Sequence, residues 1–374
     1  MKKELLLFAC IEKNIGDDLF IHCICQRYPQ HSFVISKGAA YGSLKTIPNL
    51  RFSTMLKYWN FFNAVVGRNG PRRLIKKLGK AFFGIFLGRH KCSVMIVGNA
   101  FKNYSYAGPQ QIEWLSSRIA LSEEFFLIST NFGPYRDERW VSDCAQVFAE
   151  LTDICFRDQE SVRLFSSLKN VRYAPDAIFS MGKQNRACYG GRIVIVSMID
   201  CAFRDRSEKI HQCQIPFEQW IVGLVDRFTE DGLKVVLVNS NVRQDRPASE
   251  RVYNRVKDPD KVTIIDYDGD IYAILKLYEQ AVAVISTRLH TLILSLLYDV
   301  PVFPIVYDEK VKGVLNSCAF TEESIPIESI MACDYDRVER QLCNYSYVLP
   351  DAIVIEAEKQ FEVLDNQLLY GDLA

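Results

Sequence analysis

The chain has 374 residues, 49% of them hydrophobic and 24% charged, which is enough to bury a core in each of two domains and too apolar for a disordered protein. Lys plus Arg (45) equals Asp plus Glu (45), which excludes a protein basic throughout, as a general nucleic-acid binder is. The balance is a cancellation. Residues 19–112 carry 14 Lys and Arg and no acid in 94 positions, so one part of a neutral molecule suits an anionic ligand or surface.

The chain opens with Met1-Lys2-Lys3-Glu4-Leu5-Leu6-Leu7-Phe8. Glu12, Lys13, Asp17 and Asp18 follow at once without a small-residue cleavage site, so the apolar run reads as a buried first strand rather than a signal peptide. Further strands are expected at residues 32–36, 94–97, 125–128, 154–156 and 171–173, with helices at 18–28, 110–122, 139–152 and 159–167. A polar stretch at 180–186 suits a linker. Beyond it, strands at 192–197, 234–238, 262–265, 281–285 and 302–305 alternate with helices at 216–231, 249–255, 270–280 and 289–297, and a last helix is expected at 351–368. Such alternation predicts an α/β protein with parallel sheets. The economical arrangement is two Rossmann-like doubly wound domains facing a cleft, residues 1–185 and 186–374. The twelve cysteines are expected to be reduced and mostly buried, because only Cys23 and Cys25 are close and no second pair stands at metal-ligand spacing. No run of 18 apolar residues suggests a membrane span.

Open sheets of this kind bind ligands beyond the carboxyl ends of their strands. Ser286-Thr287-Arg288-Leu289-His290 ends one strand and opens an almost wholly apolar helix, with Ser286 or Thr287 as the expected cap. A helix N-terminus favours anions, and Arg288 and His290 can both lean toward one there. The alternative is an arginine paired with a carboxylate beside a locally bonded histidine. Arg157 ends another strand, with Asp158 placed to cap the next helix. Its planar fork suits a carboxylate or phosphate, a surface or capping arrangement with Asp158 being the alternative.

Asn14-Ile15-Gly16-Asp17-Asp18 follows the first strand. Gly16 permits a tight turn or close backbone approach, and Asp17 or Asp18 can cap the helix. The functional alternative is an acceptor-binding turn in which Asp17 takes a proton from a hydroxyl. The absence of G-x-G-x-x-G counts against a dinucleotide. Ser129-Thr130-Asn131-Phe132-Gly133-Pro134 is a polar turn, either a place for Asn131 to bind or plain loop punctuation. Lys310 is either a third positive charge for the Arg288 pocket or a solvated loop lysine.

Within the acid-free region, Leu74, Ile75, Leu78, Ala81, Phe82 and Ile85 form a helical stripe beside a basic face. Segment 70–91 is thus an interfacial helix on an anionic membrane or a surface helix packed on its own domain. No nucleic-acid motif accompanies the charge.

In order over residues 5–315, Asn14-Ile15-Gly16-Asp17, Gly133-Pro134, Arg157-Asp158 with Ser161 and Leu164, Pro175-Asp176 with Phe179, Arg288-Leu289-His290, Pro301, and Asp308 with Lys310 together resemble the polysaccharide pyruvyl transferase family. Asp299 stands where that family usually has Gly before the proline, and Ser295 replaces a common Ala. The resemblance implies two Rossmann-like domains of the glycosyltransferase-B type, with the acceptor in the N-terminal domain. It implies transfer of the pyruvyl group of phosphoenolpyruvate to two hydroxyls of one sugar, giving a cyclic ketal and phosphate. Its acceptors are surface-polysaccharide precursors, often lipid-linked, met at the inner face of the membrane. In the family the donor is held by arginines matching Arg157 and Arg288, by the backbone near Leu289, and by the histidine matching His290.

The residue chemistry agrees with that implication. Phosphoenolpyruvate is a small trianion, suited to two arginines and a helix N-terminus, and a histidine can give a proton near neutrality. His290 is therefore the expected acid and Asp17 the candidate for hydroxyl deprotonation. Asn14, Gly16, Asn131 and Lys310 complete the expected substrate-binding set, and the scheme calls for no cofactor beyond the donor and no metal. A nucleotide-sugar glycosyltransferase of the same architecture and a catalytically silent membrane-associated assembly factor are the competing functions. The expected location is cytoplasmic, peripheral on the membrane's inner face.

Overall fold

Parallel strands covered by helices on both faces are buried on both faces, and the near-continuous apolar runs of this chain become such strands. A computed structural model describes residues 2–59, 61, 90–103, 108–119, 122–135, 137–185, 191–203 and 207–370. They divide into two compact units. One contains the residues up to Ile11, Asp17–Ser180 and those from Glu356; the other contains Glu12–Gly16 and Met181–Ile355.

The first unit holds β1 (Glu4–Phe8), β2 (Ser32–Ser36), β3 (Leu50–Ser53), β4 (His90–Ile96), β5 (Phe101–Asn103), β6 (Ser122–Thr130), β7 (Phe132–Tyr135), β8 (Asp153–Phe156) and β9 (Val171–Tyr173). Seven of these form a parallel sheet in the order β3-β2-β1-β4-β6-β8-β9, while β5 and β7 pair separately. Strand order reverses between β1 and β4, the switch point of a doubly wound sheet. An aromatic core packs beneath it, with ring centroids of Phe132 and Phe165 4.8 Å apart and of Phe148 and Phe165 4.9 Å apart.

The second unit holds β10 (Ile193–Ser197), β11 (Lys234–Asn239), β12 (Val262–Asp266), β13 (Ala281–Ser286), β14 (Val302–Val306) and β15 (Ile325–Pro326). Their order is β12-β11-β10-β13-β14-β15, and all pairings are parallel. Here the switch point lies between β10 and β13. Helices Gln214–Glu230 and Leu289–Leu297 contribute buried apolar faces to this unit.

Two features correct the expected division at residue 185. The chain enters the second unit at Met181, and the residues from Glu356 belong to the first. Gln360, fully buried, explains the latter: its Nε2 donates to the carbonyls of Ala174 (2.7 Å) and Pro175 (2.9 Å), and its Oε1 accepts from the Ser129 amide (2.9 Å). Arg27 adds bonds to Asp365 at 2.6 and 3.0 Å and an ion pair with Glu358. Turning Gln360 inward breaks the expected continuous helix at 351–368 into Asp351–Glu358, a tight turn at Lys359–Phe361 and Glu362–Asp365.

Segment 70–91 lies outside the described residues, except that His90 and Lys91 open β4. Among the described residues no helix is long and apolar enough to cross a membrane. Eleven cysteines there form no disulfide, most of them buried, and burial pushes the Cys155 thiol up to about 12.

Candidate functional site

β13 delivers Arg288 and His290 to the switch point of the second unit. Thr287 donates both its amide (2.9 Å) and its hydroxyl (3.0 Å) to the carbonyl of Ser197, the last residue of β10. Ser286 Oγ donates to the Arg288 carbonyl at 2.9 Å. Both hydroxyls are thereby used, so neither caps the helix as the sequence led one to expect. Arg288 itself stands at the N-cap, and the helix Leu289–Leu297 begins without a side-chain cap. An uncapped start leaves the positive end of the helix dipole available to an anion.

Arg288 is paired with Asp245, whose side chain is fully buried, and it donates to Gln244 Oε1 at 3.2 Å. Burial presses its pKa down, but Asp245 and Tyr307 outweigh that and hold the guanidinium above its ordinary value. Arg288 Nε is buried without an acceptor. The carboxylate alternative raised by the sequence is therefore realised, and it fixes the guanidinium at the helix mouth beside a donor still to be satisfied.

The stretch Glu12–Gly16 lies in the same unit. Asn14 forms an antiparallel bridge with Asn241, and the Ile15 amide donates to the Ser240 carbonyl at 3.2 Å. Asn14 Oδ1 accepts from the Gly16 amide at 2.9 Å, so Asn14, and neither Asp17 nor Asp18, makes this capping bond at the start of helix Ile15–Arg27. Gly16 lies against His290: a Cβ at this position would fall within the imidazole. Asp18 is fully buried and accepts from Tyr41 Oη at 2.7 Å, and Asp17, half-buried, belongs to the first unit.

Lys310 joins this neighbourhood through Tyr307. Its ammonium lies 5.4 Å from the Tyr307 ring centroid and 3.6 Å from Asp308. Asp308 caps the helix Glu309–Ser317 by accepting from the Lys310 amide. The second unit thus brings together Asn14, Gly16, Arg288, Leu289, His290 and, at its margin, Lys310.

In the first unit Arg157 sits at the carboxyl end of β8. Its Nη1 donates to Asp176 at 2.7 Å and its Nη2 to Asn131 Oδ1 at 2.8 Å. Gly98, after β4, leaves room for it, since a Cβ there would come 3.0 Å from both terminal nitrogens. The partner is Asp176 rather than Asp158. Asp158 instead caps the next helix, accepting from the Ser161 amide (2.8 Å) and hydroxyl (2.7 Å). Asn131 acts here by holding Arg157.

The sequence profile of the family described as polysaccharide pyruvyl transferase matches residues 14–309. The chain belongs to that family. It is 22% identical over 297 residues to the amylovoran biosynthesis protein AmsJ of Erwinia amylovora, covering 74% of this chain and 71% of that protein. Among solved structures it is similar to UDP-GlcNAc 2-epimerase of Methanocaldococcus jannaschii (TM-score 0.59, 8% identity, 97% of this chain and 99% of that one). It is also similar to Anabaena HepE, solved with UDP and glucose (TM-score 0.54, 9% identity, 100% and 99%). At such identities the likeness is one of fold, the two doubly wound units of the glycosyltransferase-B type.

In this transferase the sequence did not single out Asp245, Gln244, Asn241 and Ser240, which surround Arg288 and the segment at Asn14. A signal existed. Ser240 and Asn241 directly follow β11, so the rule about carboxyl ends of strands reaches them as it reaches Arg157 and Arg288.

Proposed function

We propose that this family member transfers the pyruvyl group of phosphoenolpyruvate to two hydroxyls of one sugar in a surface-polysaccharide precursor, with a ketal and phosphate as products. The observation that carries the proposal is the placement of Arg288, its Nε unsatisfied, at an uncapped helix N-terminus with His290 two residues on. A small, highly charged donor that lacks a nucleotide suits such a place. Arg288, the backbone at Leu289 and His290 are assigned to the donor, with Lys310 at the margin. Arg157 is assigned to it through the family resemblance, its fork oriented by Asp176 and Asn131.

Protonation of the donor's methylene by His290 leaves cationic character at the central carbon, which a sugar hydroxyl attacks. Phosphate departs with the C–O electron pair, and the second hydroxyl closes the ring. Asp17 is assigned to hydroxyl deprotonation. The acceptor is assigned to the first unit, as a lipid-linked sugar met at an anionic membrane face, with segment 70–91 as the contact. The protein is placed in the cytoplasm, at the inner face of the membrane.

The test incubates purified protein with phosphoenolpyruvate and candidate lipid-linked sugars. Phosphate should appear together with one pyruvylidene group on the sugar. Phosphoenolpyruvate should also raise the melting temperature of the wild type. A nucleotide sugar that does so instead, with glycosyl transfer and no phosphate release, would replace this proposal with a glycosyltransferase.

A further inference from the structure

A glycine in a helix is usually destabilising relative to alanine, so Gly16, in the first turn of Ile15–Arg27, calls for a reason. Backbone strain does not supply it. Gly42, Gly133, Gly182, Gly232 and Gly269 take positive φ, and Gly16 does not. Room supplies it. The three atoms that a Cβ would meet nearest are in the imidazole of His290, Nδ1 first, then Cε1, then Cγ. His290 thus presents its Nδ1 edge to Gly16, and Nε2 lies on the opposite edge of the ring.

The contact is held from both sides. Asn14 pairs with Asn241, Ile15 donates to the carbonyl of Ser240, and Gly16 donates to Asn14 Oδ1. The hydroxyl of Ser240 stands 3.3 Å from those of Ser197 and Thr291, and Thr291 donates to Ser197 at 3.0 Å. Thr291 directly follows His290. Ser240 therefore ties the segment carrying Gly16 and the helix carrying His290 to one buried cluster.

We propose that Gly16 is a positioning residue: the space left by its missing side chain seats the Nδ1 edge of His290 and makes Nε2 the nitrogen that exchanges the proton. The inference rests on His290 being the acid of the proposed reaction. In that reaction the Nε2 proton passes to the methylene carbon, whose π pair forms the new C–H bond. Of the two hydroxyl protons that Asp17 removes, one replaces the Nε2 proton and the other leaves with phosphate, so histidine and aspartate both end as they began.

Gly16→Ala in the wild-type and His290→Ala backgrounds tests this. With Gly16→Ala alone, kcat should fall about 10- to 100-fold, the scale of an ångström-level misplacement, while KM for phosphoenolpyruvate stays within about threefold. The imidazole 15N signals of His290 should shift. In the His290→Ala background, Gly16→Ala should not lower the stability further, since nothing remains to displace and alanine favours a helix over glycine. A folded Gly16→Ala protein with wild-type kcat and unshifted His290 signals overturns the proposal. If Gly16→Ala alone does not fold, restored folding in the double variant supports it, and continued misfolding overturns it. Full activity in His290→Ala overturns the assignment of the acid instead, and the 15N signals still judge whether Gly16 seats the ring.

Discussion

Arg157 and Asp176 form a buried ion pair, 2.7 Å between Nη1 and Oδ2, with side chains 5% and 0% exposed. Asp176 also accepts from the Ile178 amide at 3.0 Å, and the adjoining Pro175 carbonyl is held by Gln360. The arginine is thus fixed by a loop that is itself fixed from the far end of the chain. Removing one partner of a buried pair costs about 3–5 kcal/mol, because the other charge stays behind. Asp176→Ala and Arg157→Ala should each lower the denaturant midpoint accordingly, and the double variant should lose much less than the two losses added. Thermal stabilisation by phosphoenolpyruvate should vanish in every variant lacking Arg157. Additive losses would show that the pair is not coupled as its geometry requires.

Arg288 and His290, two residues apart, should respond differently to truncation. Arg288→Ala takes the guanidinium away from the fully buried Asp245 carboxylate, so it should lose about 3 kcal/mol or more of stability as well as turnover. His290 is half-buried, and His290→Ala should leave the melting temperature within a few degrees while lowering turnover about 10²- to 10⁴-fold, the usual worth of general acid catalysis. Phosphate release and thermal unfolding on the same preparations separate the two effects. Equal destabilisation by both variants would contradict this division of roles.

These pairs mark where sequence and structure part. The helix Leu289–Leu297 was legible to the residue, because a β-rich run ended in polar residues before an apolar helical run. The importance of Arg157 and Arg288 was legible too, from their places at strand ends. Their partners were not, since Asp176 and Asp245 lie 19 and 43 residues away and only the crossover topology brings them close. Ser286 and Thr287 looked like caps because capping is what such residues do locally, yet bonds to the Arg288 and Ser197 carbonyls claim their hydroxyls. Gln360 was hidden for a similar reason. Its segment reads as a continuous helix until a buried amide in another part of the chain demands partners.

His22 gives the pH dependence a definite sign. It is 4% exposed, and burial lowers its pKa below the ordinary 6.5. The unfolded chain therefore binds a proton at His22 more readily than the folded one, so stability rises with pH through that window. Its contribution is fully present above about pH 6.5 and is lost as pH falls toward the depressed folded value. Urea midpoints between pH 5 and 8 should fall on the acid side, and His22→Gln should flatten that part of the profile. An unchanged slope in the variant would place the acid sensitivity elsewhere.

Two helices of the second unit end in the same way, with residues other than glycine. After Leu289–Leu297, the Asp299 amide donates to the Leu296 carbonyl (3.3 Å) and the Val300 amide to that of Ser295 (2.9 Å). After Glu309–Ser317, the Ala319 amide donates to Asn316 (3.1 Å) and the Phe320 amide to Leu315 (2.9 Å). Both are Schellman closures, whose left-handed position favours glycine, and φ is +52° at Asp299 and +50° at Ala319. Glycine at Asp299, the residue found in related transferases by the resemblance described above, relieves about 1–2 kcal/mol of left-handed strain, at the low end for Asp. Against this stands about 0.4–1 kcal/mol of added unfolded-chain entropy. Asp299→Gly should therefore be stabilising by only about 0.5 kcal/mol. Ala319→Gly should gain about 1 kcal/mol, since alanine has no side-chain polar group to ease the left-handed conformation. Chemical denaturation of the two single variants checks the order, and a larger gain at Asp299 than at Ala319 would refute it.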